Sequence, residues 1–250
     1  MPRWLLLVSP HPDDIAFSLG GLIGQLKLPA TLLTLFGRSN YTVANALQND
    51  EREITLLRRE EDRTFAKNNS LQWCYHEFPA AGLRFGGNWD KIFDNAAEPQ
   101  KAVRAEMPKW NGPLRAAARL ACGKGPPPAI IMLPAGLGNH HDHLLVREIF
   151  HKYAQEQDRP VAFYEDLPYA LDLSESEIKA HMTEIDGSLK PQLLPFVDDT
   201  DDKVRRTTCY RSQVDEAVLR RLRLAGVRYG ISAERIWSEV SNVSRIDLLR

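Results

Sequence analysis

The sequence predicts an α/β protein with a mostly parallel central sheet. Three observations carry that reading. Apolar runs of strand length alternate with longer stretches of helical periodicity. The first run stops at a proline-rich turn followed by two aspartates, the signature of a strand entering a loop and then a helix. Two histidine-bearing clusters recur at one point of this rhythm, just after a strand and just before a helix.

Each element follows in order. Trp4 to Val8 is a continuous apolar run, and Pro10 and Pro12 forbid a helix directly after it. Asp13 and Asp14 then precede a helical pattern from Ile15 to Leu26. Ala30 to Phe36 reads as a second strand, Asn49 to Lys67 as a charged amphipathic helix, and Leu71 to Phe78 as a third strand. Lys101 to Ala121 is helical, with a break predicted at Trp110-Asn111-Gly112-Pro113. Gly123 to Pro128 is a plain interruption, Ala129 to Leu133 a buried strand, His143 to Gln155 a helix and Val161 to Tyr164 a strand. Ala80 to Glu98 and Leu171 to Asp202 lack a period and are expected to be loop-rich insertions, the first beside a cleft.

Charge narrows the partners. The 250 residues carry 32 basic and 33 acidic side chains, a net charge of -1, so no basic surface points to nucleic acid or to an anionic membrane. The opening apolar run is too short for a signal sequence or a membrane span, and the cytoplasm is the expected compartment. Cys74, Cys122 and Cys209 are too far apart to suggest a zinc knuckle and are expected to be reduced.

The chemistry sits in two clusters. His11-Pro12-Asp13-Asp14 offers an imidazole and two carboxylates in a loop stiffened by prolines. That donor mix suits zinc and similar divalent ions. Asn139-His140-His141-Asp142-His143 follows the Ala129–Leu133 strand through a glycine-rich turn, and places His140 and His143 three apart. Both clusters lie at carboxyl ends of strands, where open α/β sheets bind ligands. A nucleotide-binding reading fails, because two carboxylates stand where a glycine-rich phosphate loop belongs.

His11-Pro12-Asp13-Asp14 with the Gly20-Gly21 pair, combined with His140-x-Asp142-His143, resembles the PIG-L/LmbE-like family of zinc-dependent N-deacetylases. The resemblance implies a single Rossmann-like three-layer domain over residues 1–250. It implies that His11, Asp14 and His143 bind Zn2+, or another divalent transition metal such as Fe2+. Asp13 would be the general base, His140 would stabilise the tetrahedral intermediate as an imidazolium, and Asp142 would orient a histidine from behind. The expected reaction removes an N-acetyl group from an N-acetylglucosamine-type sugar or glycoconjugate through water activated by the metal. Weaker echoes are Arg58, Arg59 and Glu61 on one helix, the segment Phe163 to Pro168, and Lys203 through Ser212-Gln213 with Tyr210 where a histidine is common.

Two departures keep alternatives open. Ile15 replaces an acidic residue, and Ala80-Ala81 stands where the family often carries a sugar-binding carboxylate. An amidase acting on a non-sugar or thiol-conjugate amide, or an inactive metal- or carbohydrate-binding relative, fits those changes. Trp73, Trp89 and Trp110 read as core or loop anchors rather than sugar-stacking platforms, with Trp89 the one to test because its glycine-rich loop could border the cleft, and the run Asp198 to Asp202 is expected to be a solvated helix start.

Overall fold

The computed structural model describes residues 4–43, 50–93, 99–123, 126–196 and 200–239. In chain order the elements are β1 (Leu5–Ser9), α1 (Asp14–Ile23), β2 (Ala30–Thr34), α2 (Glu51–Asn68), β3 (Gln72–Tyr75), α3 (Ala81–Arg84), α4 (Trp89–Ile92), α5 (Pro99–Cys122), β4 (Ile130–Pro134), α6 (His141–Glu156), β5 (Val161–Tyr164), α7 (Glu175–Ile185), β6 (Lys190–Pro195), α8 (Thr200–Thr207), α9 (Glu216–Gly226) and β7 (Ala233–Ser238). A single 3-10 turn, Tyr169–Asp172, follows β5.

The strands form one seven-stranded sheet in the order β3-β2-β1-β4-β5-β7-β6. β1 to β5 pair in parallel, while β7 runs antiparallel to both β5 and β6. The central strand β1 explains the apolar run: Leu5, Leu6, Leu7 and Val8 are wholly buried, because helices cover both faces of a parallel sheet. β6 lies at the sheet edge, and its Pro191 and Pro195 deny a further strand two amide donors.

The winding fixes the site. From β1 the chain steps to β2 and β3 in one direction; from β4 it steps to β5 in the other. Right-handed crossovers then place α1 and α2 on one face and α5 and α6 on the opposite face, giving three layers. The loops leaving β1 and β4 part to opposite faces, and the crevice between them is the topological switch point.

Several expectations need correction. α5 runs through Gly112 and Pro113 without a break, with Pro108 and Pro113 inside it. Trp110, Leu114, Ala117 and Ala118 on this helix are buried in the core, and that burial outweighs the local helix-breaking preference. Within 80–98 lie α3 and α4, and residues 94–98 are outside the described set. Within 171–202 lie α7, started by a Ser174/Glu177 capping box, and β6. Asp198 and Asp199 of the acidic run, and the side chain of Trp89, fall outside the described residues, while Asp201 and Asp202 open α8 as a helix start. The last forty residues, silent in sequence, supply α9 and β7.

Candidate active site

Both histidine clusters converge at the switch point. The loop after β1 is tight: Ser9 Oγ donates to the His11 carbonyl at 2.6 Å, and the His11 amide donates to Asp14 Oδ2 at 2.7 Å. Asp13 adopts φ 103°, a left-handed conformation unusual for a non-glycine residue. Such backbone costs about 1–3 kcal/mol and persists at functional sites where surrounding contacts over-determine it. The turn before α6 uses Gly138 at φ 82°, and a Cβ there would sit 2.5 Å from the Tyr169 Cβ.

The result is a triangle of ligand atoms. His11 Nδ1 and His143 Nε2 are 3.3 Å apart, and Asp14 Oδ2 lies 3.4 Å from each. Asp142 Oδ2 accepts from His11 Nε2 at 2.8 Å, and Asp166 Oδ1 accepts from His143 Nδ1 at 2.6 Å. With hydrogens on those outer ring nitrogens, as metal binding requires, the inner ones would offer their lone pairs to one point beside the Asp14 carboxylate. Without a metal a proton takes that place: burial lowers His11, but Asp14 and Asp142 outweigh it and raise His11 to about 9, and Asp14 and Asp166 likewise raise His143 against burial. A tetrahedral ion with bonds of about 2.0–2.2 Å spaces its ligands by about 3.3–3.6 Å, the spacing observed here. The donor set therefore fits a divalent metal, and the carboxylates behind both histidines are the usual support for metal-binding imidazoles.

His140 stands beside the triangle. Its ring centroid is 4.8 Å from that of His11 and 4.9 Å from that of His143, and the three imidazoles offer nitrogens within 4.8 Å of one another. It caps α6, with Nδ1 accepting from the Asp142 amide at 3.2 Å, which leaves Nε2 as the hydrogen-bearing atom. Burial, then the charges of His11 and His143, hold His140 well below its ordinary pKa.

The carboxylates divide. Burial raises Asp13 to about 7, against the opposing pull of Arg58. Burial also works against ionisation of Asp14, but His143 and His11 outweigh it and hold Asp14 at about 2. Burial likewise opposes ionisation of Asp142, and Arg84 and His11 more than reverse it, holding that carboxyl well below its ordinary range.

Of the two neighbouring arginines on α2, Arg58 lines the site. It is buried beneath the loop, with Nη2 3.5 Å from Asp13 Oδ2 and 3.1 Å from the Pro12 carbonyl, while Nη1 donates to Ser39 Oγ. Arg59 instead faces solvent, paired with Glu77 at 3.1 Å. Glu61 accepts from the Ser212 amide and hydroxyl at 2.8 and 2.6 Å, which docks the 210–213 segment on α2.

A cavity of about 500 Å³ opens onto His11, Asp13, Asp14 and His140, and also takes in Arg58 and Gln213. Its remaining wall is largely apolar, with Phe17, Tyr41, Ile92, Phe93, Pro168 and Tyr169. Sequence reasoning assigned no role to Asp166, Arg84, Tyr169 or Phe93. Asp166 carried a usable signal, an acidic residue just past the carboxyl end of a strand; the others are placed by tertiary packing alone.

A buried two-histidine, one-carboxylate triangle beside a spare carboxylate, at the switch point of a three-layer α/β sheet, defines a metal-assisted hydrolase. The profile of the PIG-L family, GlcNAc-PI de-N-acetylase, matches residues 6–154. The chain is 31% identical over 222 residues to 2'-N-acetylparomamine deacetylase of Streptomyces fradiae, covering 86% of this chain and 75% of the relative. The chain belongs to the PIG-L family, and is an amide hydrolase of the de-N-acetylase type. Solved structures share the fold at low identity. A zinc-inhibited form of teicoplanin deacetylase aligns with TM-score 0.66 and 19% identity over 94% of this chain and 97% of its own. N,N'-diacetylchitobiose deacetylase from Pyrococcus horikoshii, bound to an inhibitor, aligns with TM-score 0.58 and 15% identity over 98% of this chain and 86% of its own.

Proposed function

We propose that the chain removes the N-acetyl group of an N-acetylglucosamine-type sugar or glycoconjugate, with zinc held by His11, Asp14 and His143. The observation that carries this is the 3.3–3.4 Å triangle of Nδ1, Nε2 and Oδ2. Zinc at such a site acidifies water and polarises an acyl oxygen. The named relatives are deacetylases of 2'-N-acetylparomamine, teicoplanin and N,N'-diacetylchitobiose, which supports the substrate class.

The chain's own residues do the rest. Asp13 lines the cavity beside the triangle, and a carboxyl near 7 accepts a proton from water and returns it to the leaving amine. Arg58 holds that carboxylate in place from below. The Nε2–H of His140 donates to the oxygen that gains charge as the amide carbon becomes tetrahedral. Asp142 and Asp166 fix the tautomers of His11 and His143.

A second reading has its own support. No carboxylate stands at Ala80-Ala81, and aromatic and aliphatic side chains make up much of the wall, which also suits a less polar, non-sugar amide. We place the protein in the cytoplasm: Cys74, Cys122 and Cys209 are all free, and among the described residues no helix is long and apolar enough to cross a membrane. The test is metal content of tag-free protein beside His143→Ala, followed by acetate release from N-acetylglucosaminides and from non-sugar acetamides. About one zinc per chain, lost in the variant, together with sugar turnover, is the expected outcome. A wild type that binds neither zinc nor ferrous iron on reconstitution would overturn it.

A further inference from the structure

Asp142 does more than orient a histidine. Its buried carboxylate receives donors from separate parts of the chain. Oδ2 accepts His11 Nε2 at 2.8 Å and the Ala81 amide at 2.7 Å, and Oδ1 accepts Arg84 Nη1 at 2.6 Å. Ala81 and Arg84 are the two ends of α3, and the same segment gives Ala80 and Gly82 to the cavity wall. One carboxylate thus joins a metal-facing histidine to a stretch of backbone that a substrate touches.

Arg84 keeps that junction rigid. Its guanidinium is buried, and the edge not used on Asp142 and the Pro79 carbonyl meets Glu106 of α5 through Nε and Nη2, at 3.2 and 2.9 Å. It lies 5.1 Å from the Phe36 ring centre and 5.2 Å from that of Trp110. A fork held on both edges and stacked between rings has little freedom, and lysine cannot copy it. Glu106 also meets His141 Nε2 at 3.1 Å, so the chain of contacts returns to the start of α6, which carries His143.

We propose that Arg84 is a positioning residue that couples metal affinity to the shape of the substrate cavity, acting through Asp142 on His11 and through α3 on the wall. The inference rests on the metal reading above. Loss of the fork frees Asp142 to rotate, which loosens His11 Nδ1 from its aim and releases the Ala81 amide together.

The experiment compares wild type, Arg84→Lys and Arg84→Met in three measurements: zinc affinity by chelator competition, the visible spectrum of the cobalt-substituted protein, and KM for an N-acetyl substrate. Arg84→Met should lose about 10- to 100-fold in zinc affinity, the usual effect of removing support behind a ligand. It should also shift the cobalt bands and raise KM. Arg84→Lys, which keeps the charge and safeguards folding, should fall between the two. If the variants lower only the melting temperature of the metal-free protein, with zinc affinity and cobalt spectrum unchanged, Arg84 is merely structural and the coupling is refuted. A wild type that binds no metal would sink both this inference and the metal site. A wild type that binds zinc as tightly as both variants would sink this inference alone.

Discussion

At the scale of single residues, the two neighbouring aspartates have opposite fates. Asp14 points an oxygen at two imidazoles and stays ionised, at about 2. Asp13, one residue earlier, is raised by burial to about 7 against the pull of Arg58 and His11. A general base must be deprotonated to work, so activity should rise as pH climbs through the Asp13 value. A divalent ion held by His11, Asp14 and His143 would add positive charge and draw that value down, so the rising limb of kcat/KM against pH should lie below about 7. Asp13→Ala should keep its zinc and lose on the order of 10²–10⁴ in kcat, and the rising limb should disappear with it. Undiminished kcat in that variant would remove Asp13 from the role of base.

At the scale of elements, a second buried carboxylate ties α2 to its neighbours. Asp62 accepts from Thr34 Oγ1 of β2, Trp73 Nε1 of β3 and the Tyr210 hydroxyl, each at 2.8 Å. Tyr210, which replaces the histidine suggested by resemblance, is therefore part of the scaffold. Burial still outweighs these donors and raises Asp62 from 3.8 to about 6. The folded form then holds a proton that the unfolded form has released, so this group's contribution to stability falls as pH rises from about 4 to 6. Urea titrations of wild type and Asp62→Asn across that range should show a stability difference that narrows toward higher pH; a constant gap would contradict the assignment. Tyr210→Phe should cost about 1–3 kcal/mol, because it strips a donor from a buried acceptor. The two histidine-bearing clusters and the strand–helix rhythm were legible because each is local: a continuous apolar run, a proline turn, two acids, three histidines. The continuity of α5 was not, because buried Trp110 and Leu114 overrule Gly112 and Pro113 only once the sheet is present. Arg84 and Asp166 were missed for a related reason, since their partners lie 58 and 23 residues away in the chain.

At the scale of the whole molecule, β7 near the far end of the chain secures the helix that follows the His11–Asp14 loop. α1 is buried along its entire length, and its Gly21 and Leu22 amides donate to Glu234 of β7 at 2.8 and 2.7 Å. The same carboxylate lies 2.8 Å from Lys203 Nζ of α8, and both side chains are almost entirely excluded from solvent. β7 pairs with β5, whose continuation carries Asp166 behind His143. The C-terminal strand thus braces both the helix that begins at Asp14 and the strand that leads to Asp166. Glu234→Ala would leave Lys203 as a buried, unpaired charge and two amides without acceptors, a loss of about 3–5 kcal/mol. Lys203→Met combined with Glu234→Gln removes the unpaired charge and keeps an acceptor for the amides, and should cost much less. Because the bonds of Glu234 go to the Gly21 and Leu22 amides and to Lys203, away from the proposed ligands, the folded fraction of Glu234→Ala should bind zinc as the wild type does. The mass-action gain from that binding, about 4 kcal/mol at a free zinc concentration 1,000 times Kd, should then restore much of the lost stability. Denaturant midpoints of the single and double variants, each with zinc and with chelator, check this. A double variant as damaged as Glu234→Ala would show that the buried pair is not the brace, and a Glu234→Ala protein that no zinc can rescue would show that the brace reaches the ligands themselves.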